Sequence, residues 1–367
     1  MRLERGRVPG QDLLFSVFCF MQGTMLRSGF IIGTTRNDSW AMAFTGLLFT
    51  LPLIAVYTAL LRRFPGKSLI EIDDHIFGPV LGKAVSILYL FFFLSLCALN
   101  TRDLGNFAVG YMMPATPIAA IIFLFLAVCV YALRKGVENL MRLSTLFCIV
   151  AVGALVINSI LILKDIQLEF LKPFFRLPLM KYVQGTASVV AVPMGEVLAF
   201  TMIAPMLAKG QKAGKPLVIG LSFSAVFMAV VLLRDIVTLG PLVSIVSLPS
   251  FESVRYVSLA GVLTRMESIY AVVLIMLFLF KVSILLYAFT LGLSQLLGLK
   301  SHMPFTLIAA ALVFFYSLLV FESVMENMEW GASTAPFFSL TFEFLLPALS
   351  LLVAALRGLN RAREAET

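Results

Sequence analysis

The chain has 367 residues, 60% of them apolar and only 13% charged, with a mean hydropathy of +0.99. Soluble domains run nearer ~45–50% apolar and ~25% charged, and even large ones leave about a quarter of their unfolded surface in water. This composition excludes a soluble enzyme, a nucleic-acid reader and a disordered scaffold, and the excess of 28 basic over 20 acidic residues reads as loop charge beside a membrane.

A helix needs about 20 mostly apolar residues to cross a bilayer. Ten such runs follow in chain order, at 11–34, 40–61, 84–107, 115–133, 143–163, 183–208, 216–239, 268–298, 304–321 and 334–356. Their continuous hydrophobicity does not alternate as barrel strands must. The expected fold class is therefore an all-α polytopic membrane protein of about ten transmembrane helices, forming one integral membrane domain over 1–367. The basic start is followed by no small-residue cleavage site, so the first run reads as a retained helix. Arg62, Arg63, Lys67, Lys83, Arg134, Lys135, Lys212 and Lys215, with both basic termini, fall on one side of this layout. The positive-inside rule then puts both termini in the cytoplasm.

Two connections carry structure of their own. Residues 67–77 place Leu69, Ile72 and Ile76 on one helical face and Asp73 and Asp74 elsewhere, as in a short helix lying on the cytoplasmic surface. The 241–266 stretch, with two prolines, reads equally as a partly helical external cover or as a plain ordered loop.

Two spans break the rule that lipid-exposed helices run uninterrupted. The first holds Met21-Gln22-Gly23-Thr24-Met25-Leu26-Arg27-Ser28-Gly29, and the sixth holds Val190-Ala191-Val192-Pro193-Met194-Gly195-Glu196. Proline removes a backbone donor and glycine weakens a helix by roughly 1 kcal/mol. Taken singly, Gly29-Phe-Ile-Ile-Gly33 is also a small-residue helix contact and Pro193 an ordinary kink. Together they are the first helices of two five-span halves, 11–163 and 183–356. Interrupted helices in matching positions point to an inverted repeat with a ligand site near the midplane. Amide groups at Gly23 and Thr24 would suit a carboxylate. Carbonyls at Ala191 and Val192 would suit an ammonium, with Gly195 and Glu196 beside them.

The remaining charges sort by depth. Arg102-Asp103 and Arg234-Asp235 sit at external span ends. Neighbours on a helix point about 100° apart, so each is expected to pair elsewhere as an interfacial anchor. Glu343 lies mid-span and faces the bundle. Lys281 lies where no loop is close enough for snorkelling. Lys281 and Glu196 fall thirteen residues into spans that run in the same direction, so their depths match and a charge pair is expected. By analogy of fold, Lys281 could instead stand where sodium-coupled transporters hold an ion between spans 1 and 8. Cys19, Cys97, Cys129 and Cys148 form no CxxC pair, and His75 and His302 are far apart, so neither a metal site nor a cofactor is expected.

The run Phe64-Pro-Gly-Lys67-Ser-Leu-Ile-Glu71-Ile, with Gly78-Pro-Val-Leu-Gly82-Lys83 and Met113-Pro-Ala-Thr-Pro117, resembles the B subunits of spore germinant receptors. Tyr131-Ala-Leu-Arg134-Lys-Gly136-Val-Glu138-Asn and Gly195-Glu196 belong to the same pattern. That family is a branch of the amino acid–polyamine–organocation superfamily, and the resemblance covers the whole chain. Arg27-Ser28-Gly29 departs from it, where the family carries a proline. The resemblance implies a LeuT-like 5+5 inverted repeat with broken helices 1 and 6, residence in the spore inner membrane, and assembly with an A-type membrane subunit and a C-type lipoprotein. It also implies sensing of a small nutrient such as an amino acid. A working amino acid permease would use the same residues. A channel gated by its partners is a third reading, and an intramembrane enzyme the weakest, since no nucleophile–base pair is visible.

Overall fold

The computed structural model describes residues 7–24, 28–164, 166–208, 210–259 and 266–359. Among them there is no strand, only an isolated bridge between Val8 and Leu207. The helices are α1 (Gly10–Gln22), α2 (Ser28–Thr35), α3 (Ser39–Arg63), α4 (Leu69–Phe107), α5 (Ile118–Arg134), α6 (Val137–Ile162), α7 (Leu179–Val189), α8 (Gly214–Leu239), α9 (Pro249–Leu259), α10 (Met266–Leu296), α11 (Phe305–Leu319), α12 (Val324–Ser333), α13 (Ala335–Leu340) and α14 (Leu346–Leu356).

Every expected span is occupied by helix, although not always by one helix. Span 1 divides into α1 and α2. Span 6 is α7 continued by a wide π turn at Val190–Met194 and a tight 3-10 stretch at Gly195–Met202. Span 10 is α13 and α14 joined by a second π turn at Thr341–Leu345. Among the described residues seven helical stretches are long and apolar enough to cross a bilayer. An eighth is reached if α11 and α12, bent by 99°, are counted as one span. The 17-residue α5 is shorter but apolar throughout. Its Phe123 and Leu124, like Ile149 on α6 and Phe315 and Leu319 on α11, point outward and exposed, as a lipid-facing perimeter requires.

Four features differ from the sequence reading or refine it. The loop helix forms, started by a capping box in which Ser68 accepts from the Glu71 amide and Glu71 accepts from the Ser68 amide at 2.9 Å. It ends where α4 breaks at Gly78, φ 82°. Leu69, Ile72 and Ile76 are buried as expected, but Asp73 is buried too. The helix is covered on a second side by α14, whose Ser350 hydroxyl donates to Asp73 at 2.8 Å. The 241–266 stretch is partly helical, through Gly240–Ser244 and α9, while 260–265 lies outside the described residues.

Arg102 and Asp103 pair elsewhere, the guanidinium with the Ser317 and Leu318 carbonyls and the carboxylate with Asn327 at 2.7 Å. Arg234 and Asp235 also find partners elsewhere, but in addition they bind each other at 2.6 Å, buried, because an arginine side chain is long enough to fold back across the angular offset. Ser250 and Ser253 donate to the same carboxylate at 2.5 and 2.7 Å, and Asn158 accepts from the guanidinium at 3.1 Å. This network fastens α9 to α8 and α6. Its charges are satisfied by many hydrogen bonds, the condition under which a buried pair is tolerated.

The loop helix lies outside the spanning part of α4, and burial pushes the Asp73 carboxyl up to about 7, against the pull of the Ser350 hydrogen bond. Its folded value lies above the unfolded 3.8, so the ionised form is the one the fold disfavours. That penalty is absent in acid, grows as pH rises towards about 7 and is complete above it. Thermal unfolding of the purified protein in detergent should therefore fall in midpoint across this window. Asp73→Asn should flatten that fall, and an equal slope in the variant would show that another group is responsible.

Candidate ligand site

Lys281 is the centre of α10, fifteen residues from either end of that helix, and its side chain is fully buried. A charge at such depth costs roughly 3 kcal/mol even on forgiving scales, so its surroundings must supply compensation. They do so from both broken spans. The ammonium forms an ion pair with the Glu196 carboxylate, which stands in the first turn after the π turn of span 6. It also donates to the Thr24 hydroxyl just beyond the end of α1. The face of Phe20 lies 4.8 Å from the same nitrogen, within cation–π range. The ammonium also lies beside the C-terminal end of α1, the negative end of the helix dipole.

The breaks have local causes. Pro193 has no N–H to return to Val189, and Val192 takes an extended conformation at φ −139°, ψ 104°. In span 10, Pro347 likewise cannot bond the carbonyl of Glu343. That freed carbonyl accepts the Tyr57 hydroxyl at 2.5 Å, and the Tyr57 oxygen also stands 3.5 Å from the Gly195 carbonyl. Glu343 is thereby brought to the same place as Glu196 and Lys281. Its side chain is fully buried, and among the described residues neither carboxylate oxygen has a hydrogen-bond donor.

The seven residues singled out in the sequence are distributed unevenly around this point. Thr24, Glu196 and Lys281 meet directly. Thr24, Val192 and Glu196 line a closed cavity of about 10 Å³ with Leu96, Asn100, Trp330 and Ser339, room for the centre of a single water. Gly23 and Gly195 are not lining but contact points. A Cβ on Gly23 would come within 3.0 Å of the Leu277 carbonyl and the Lys281 stem, and one on Gly195 would overlap the Glu343 carboxylate. Ala191 packs with Val192 and Ala335 in a separate apolar cluster. The expectation that the Gly23 and Thr24 amides are free is corrected. They donate to Cys19 and Met21 carbonyls, both at 3.1 Å, because α1 closes with an ordinary final turn. Thr24 contributes its side chain instead. Met25–Arg27 lie outside the described residues.

Glu343 is the member the sequence reading saw facing the bundle but did not join to the site. A larger hollow of about 620 Å³ lies at the end of the bundle opposite the loop helix, lined by Gly33, Asp103, Asn106, Tyr111, Asn327 and Glu329 among others. Trp330, next to Glu329, lines the closed cavity, so the two spaces are neighbours separated by side chains. Among the described residues no His, Cys, Asp and Glu cluster could hold a metal ion.

Comparison with known proteins accords with this arrangement. The family described as spore germination protein matches residues 12–325. The chain belongs to this family. Spore germination protein KB of Bacillus subtilis (strain 168) is 25% identical over 368 residues, 98% of each chain. Spore germination protein YndE of the same organism is 24% identical over 273 residues, 73% of this chain and 74% of its own. Among solved structures, the nucleobase-cation-symport-1 family transporter Mhp1, closed with bromovinylhydantoin bound, superposes with a TM-score of 0.68 at 13% identity, covering 95% of this chain and 78% of its own. A substrate-bound, Na+-coupled sialic acid symporter gives 0.67 at 14% identity, with 95% and 80% covered. The spore germination chain therefore has the LeuT-like transporter fold and is a multi-pass membrane protein. Family and fold point to a transporter or receptor, not to an enzyme.

Because a Cβ on Gly195 would overlap the Glu343 carboxylate, Gly195→Ala should displace that carboxyl from span 6. Gly23→Leu should part α1 from α10, whose Leu277 carbonyl stands in the way. Both variants should reach the membrane in near-normal amount yet support spore germination tenfold less well or worse, as expected of ~1 Å errors at a site. Normal germination with both would put the functional site elsewhere.

Proposed function

We propose that this chain is the nutrient-binding B-type subunit of a germinant receptor. On this reading a small nutrient such as an amino acid binds at the meeting point of Thr24, Val192, Glu196 and Lys281 and triggers germination. One observation carries the reading: a buried lysine joins both broken spans beside a small cavity that neighbours a wider vestibule, the hollow lined by Asp103, Asn327 and Glu329. A static core would have no reason to bury three ionisable groups where its helices are interrupted. At about 10 Å³ the cavity has no room for an amino acid, so binding requires spans 1 and 6 to part. The solved relatives with ligands bound support that reading by fold alone.

The proposal extends to topology and partners. The two five-span units, 11–163 and 183–356, form the inverted repeat, and both termini face the cytoplasm. An A-type membrane subunit and a C-type lipoprotein complete the receptor. The groove of about 250 Å³ lined by Arg62, Lys67 and Lys212 offers a basic face at the membrane surface, where each Lys or Arg is worth about 1 kcal/mol towards an anionic partner.

The vestibule above a closed site equally favours a second reading, a working secondary amino acid permease. Proteoliposomes offered a panel of labelled amino acids separate the two. A receptor should retain ligand in proportion to protein, without accumulation. Accumulation driven by an ion gradient would favour the permease, and the absence of both binding and uptake, with germination intact, would contradict a ligand site here.

A further inference from the structure

We infer that Glu343 is a proton-binding group of this centre, loaded when the site is closed and unloaded when it opens. The inference rests on the reading of this centre as the ligand site, and it adds a coupled proton to it.

The charge inventory gives the first argument. Two carboxylates, Glu196 and Glu343, meet one ammonium, Lys281, and all three are fully or almost fully buried. Lys281 is engaged by Glu196, Thr24 and the Phe20 ring. Among the described residues, one negative charge is left without a counter-charge of its own. A buried carboxylate without hydrogen-bond donors is among the costliest groups a membrane interior can hold. Both Glu343 oxygens are in that position.

Space gives the second argument. The missing positive charge could be a metal cation, a ligand ammonium or a proton. A metal ion needs a shell of oxygen ligands, but the carboxylate is pressed against the α-carbon of Gly195. The cavity beside Glu196 does not reach it. A ligand ammonium is excluded from the closed state for the same reason. A proton needs no volume.

Position gives the third. Glu343 lies in the π turn between α13 and α14, an arrangement that recurs at functional points in helices. The groups that face it come from three other elements: Glu196 from span 6, Lys281 from α10 and Tyr57 from α3. Tyr89 of α4 stands behind Tyr57. Parting span 6 from span 10 removes Gly195 and Glu196 from the carboxyl and admits water. The proton then leaves to water, and the carboxylate is free to meet a cationic group of the ligand.

Infrared difference spectroscopy in lipid nanodiscs tests this without any ligand. At neutral pH the protein should show the C=O stretching band of a protonated carboxyl. Side-chain 13C-labelling of glutamate should shift that band, which separates it from Asp73. Glu343→Gln should abolish the isotope-sensitive band, and Glu343→Asp, should the glutamine variant fail to fold, should abolish its sensitivity to labelled glutamate. Absence of a glutamate band in the unmutated protein, or its survival in either variant, would overturn the inference. A band present in protein that binds no amino acid would leave the proton standing and remove the ligand reading.

Discussion

A lysine placed at the middle of a membrane-spanning helix is the constraint on which the rest of this structure turns. Water and loops are too far for Lys281 to reach, so its charge must be matched inside the bundle. The match comes from parts of the chain that cannot be ordinary helix. Thr24 reaches the ammonium because α1 has ended, and Glu196 reaches it because the π turn at Val190–Met194 re-aims the backbone that follows. The interruptions of spans 1 and 6 and the burial of Lys281 are thus one feature. Without the breaks, Thr24 and Glu196 would not reach the ammonium.

The same logic extends outward. Pro347 frees the carbonyl that Tyr57 holds, and this tie fixes span 10 to α3 while turning Glu343 inward. Gly23 and Gly195 have no side chain because α10 and span 10 pass too close for one. At the far end, the Arg234–Asp235 network holds α9 over α8 and α6. At the other, Asp73 and Ser350 hold the loop helix against α14. Polar clamps thus hold both ends of the bundle, with the charged centre between them.

Much of this was legible from composition and depth. Length of apolar runs gave the spans, and counting residues from the span starts gave the Glu196–Lys281 match, since both spans run in one direction at about 1.5 Å per residue. Glu343 escaped the same count. It lies nine residues into its run, four fewer than its partners, because α13 is short and continues from α12 and because the π turn alters the register. No periodicity records a π turn in advance. At Arg234 and Asp235 the partners elsewhere were expected, but the direct pair was not, because the angular rule ignores how far a guanidinium reaches. Asp73 was assigned away from the apolar face correctly, but a second face of that helix is covered by a segment almost 280 positions later, Ser350. Local pattern cannot see such contacts.

The account stands on the direct ion pair between Glu196 and Lys281, and a double-mutant cycle measures it. Glu196→Gln and Lys281→Met would be compared singly and together by thermal unfolding of the purified protein. Removing one partner of a buried pair costs about 3–5 kcal/mol, whereas replacing both is often near neutral. The single variants should therefore each lose stability heavily, and the double variant should recover most of it. Strictly additive losses would mean that the two charges do not depend on each other, and the centre described here would not be what holds the broken spans together.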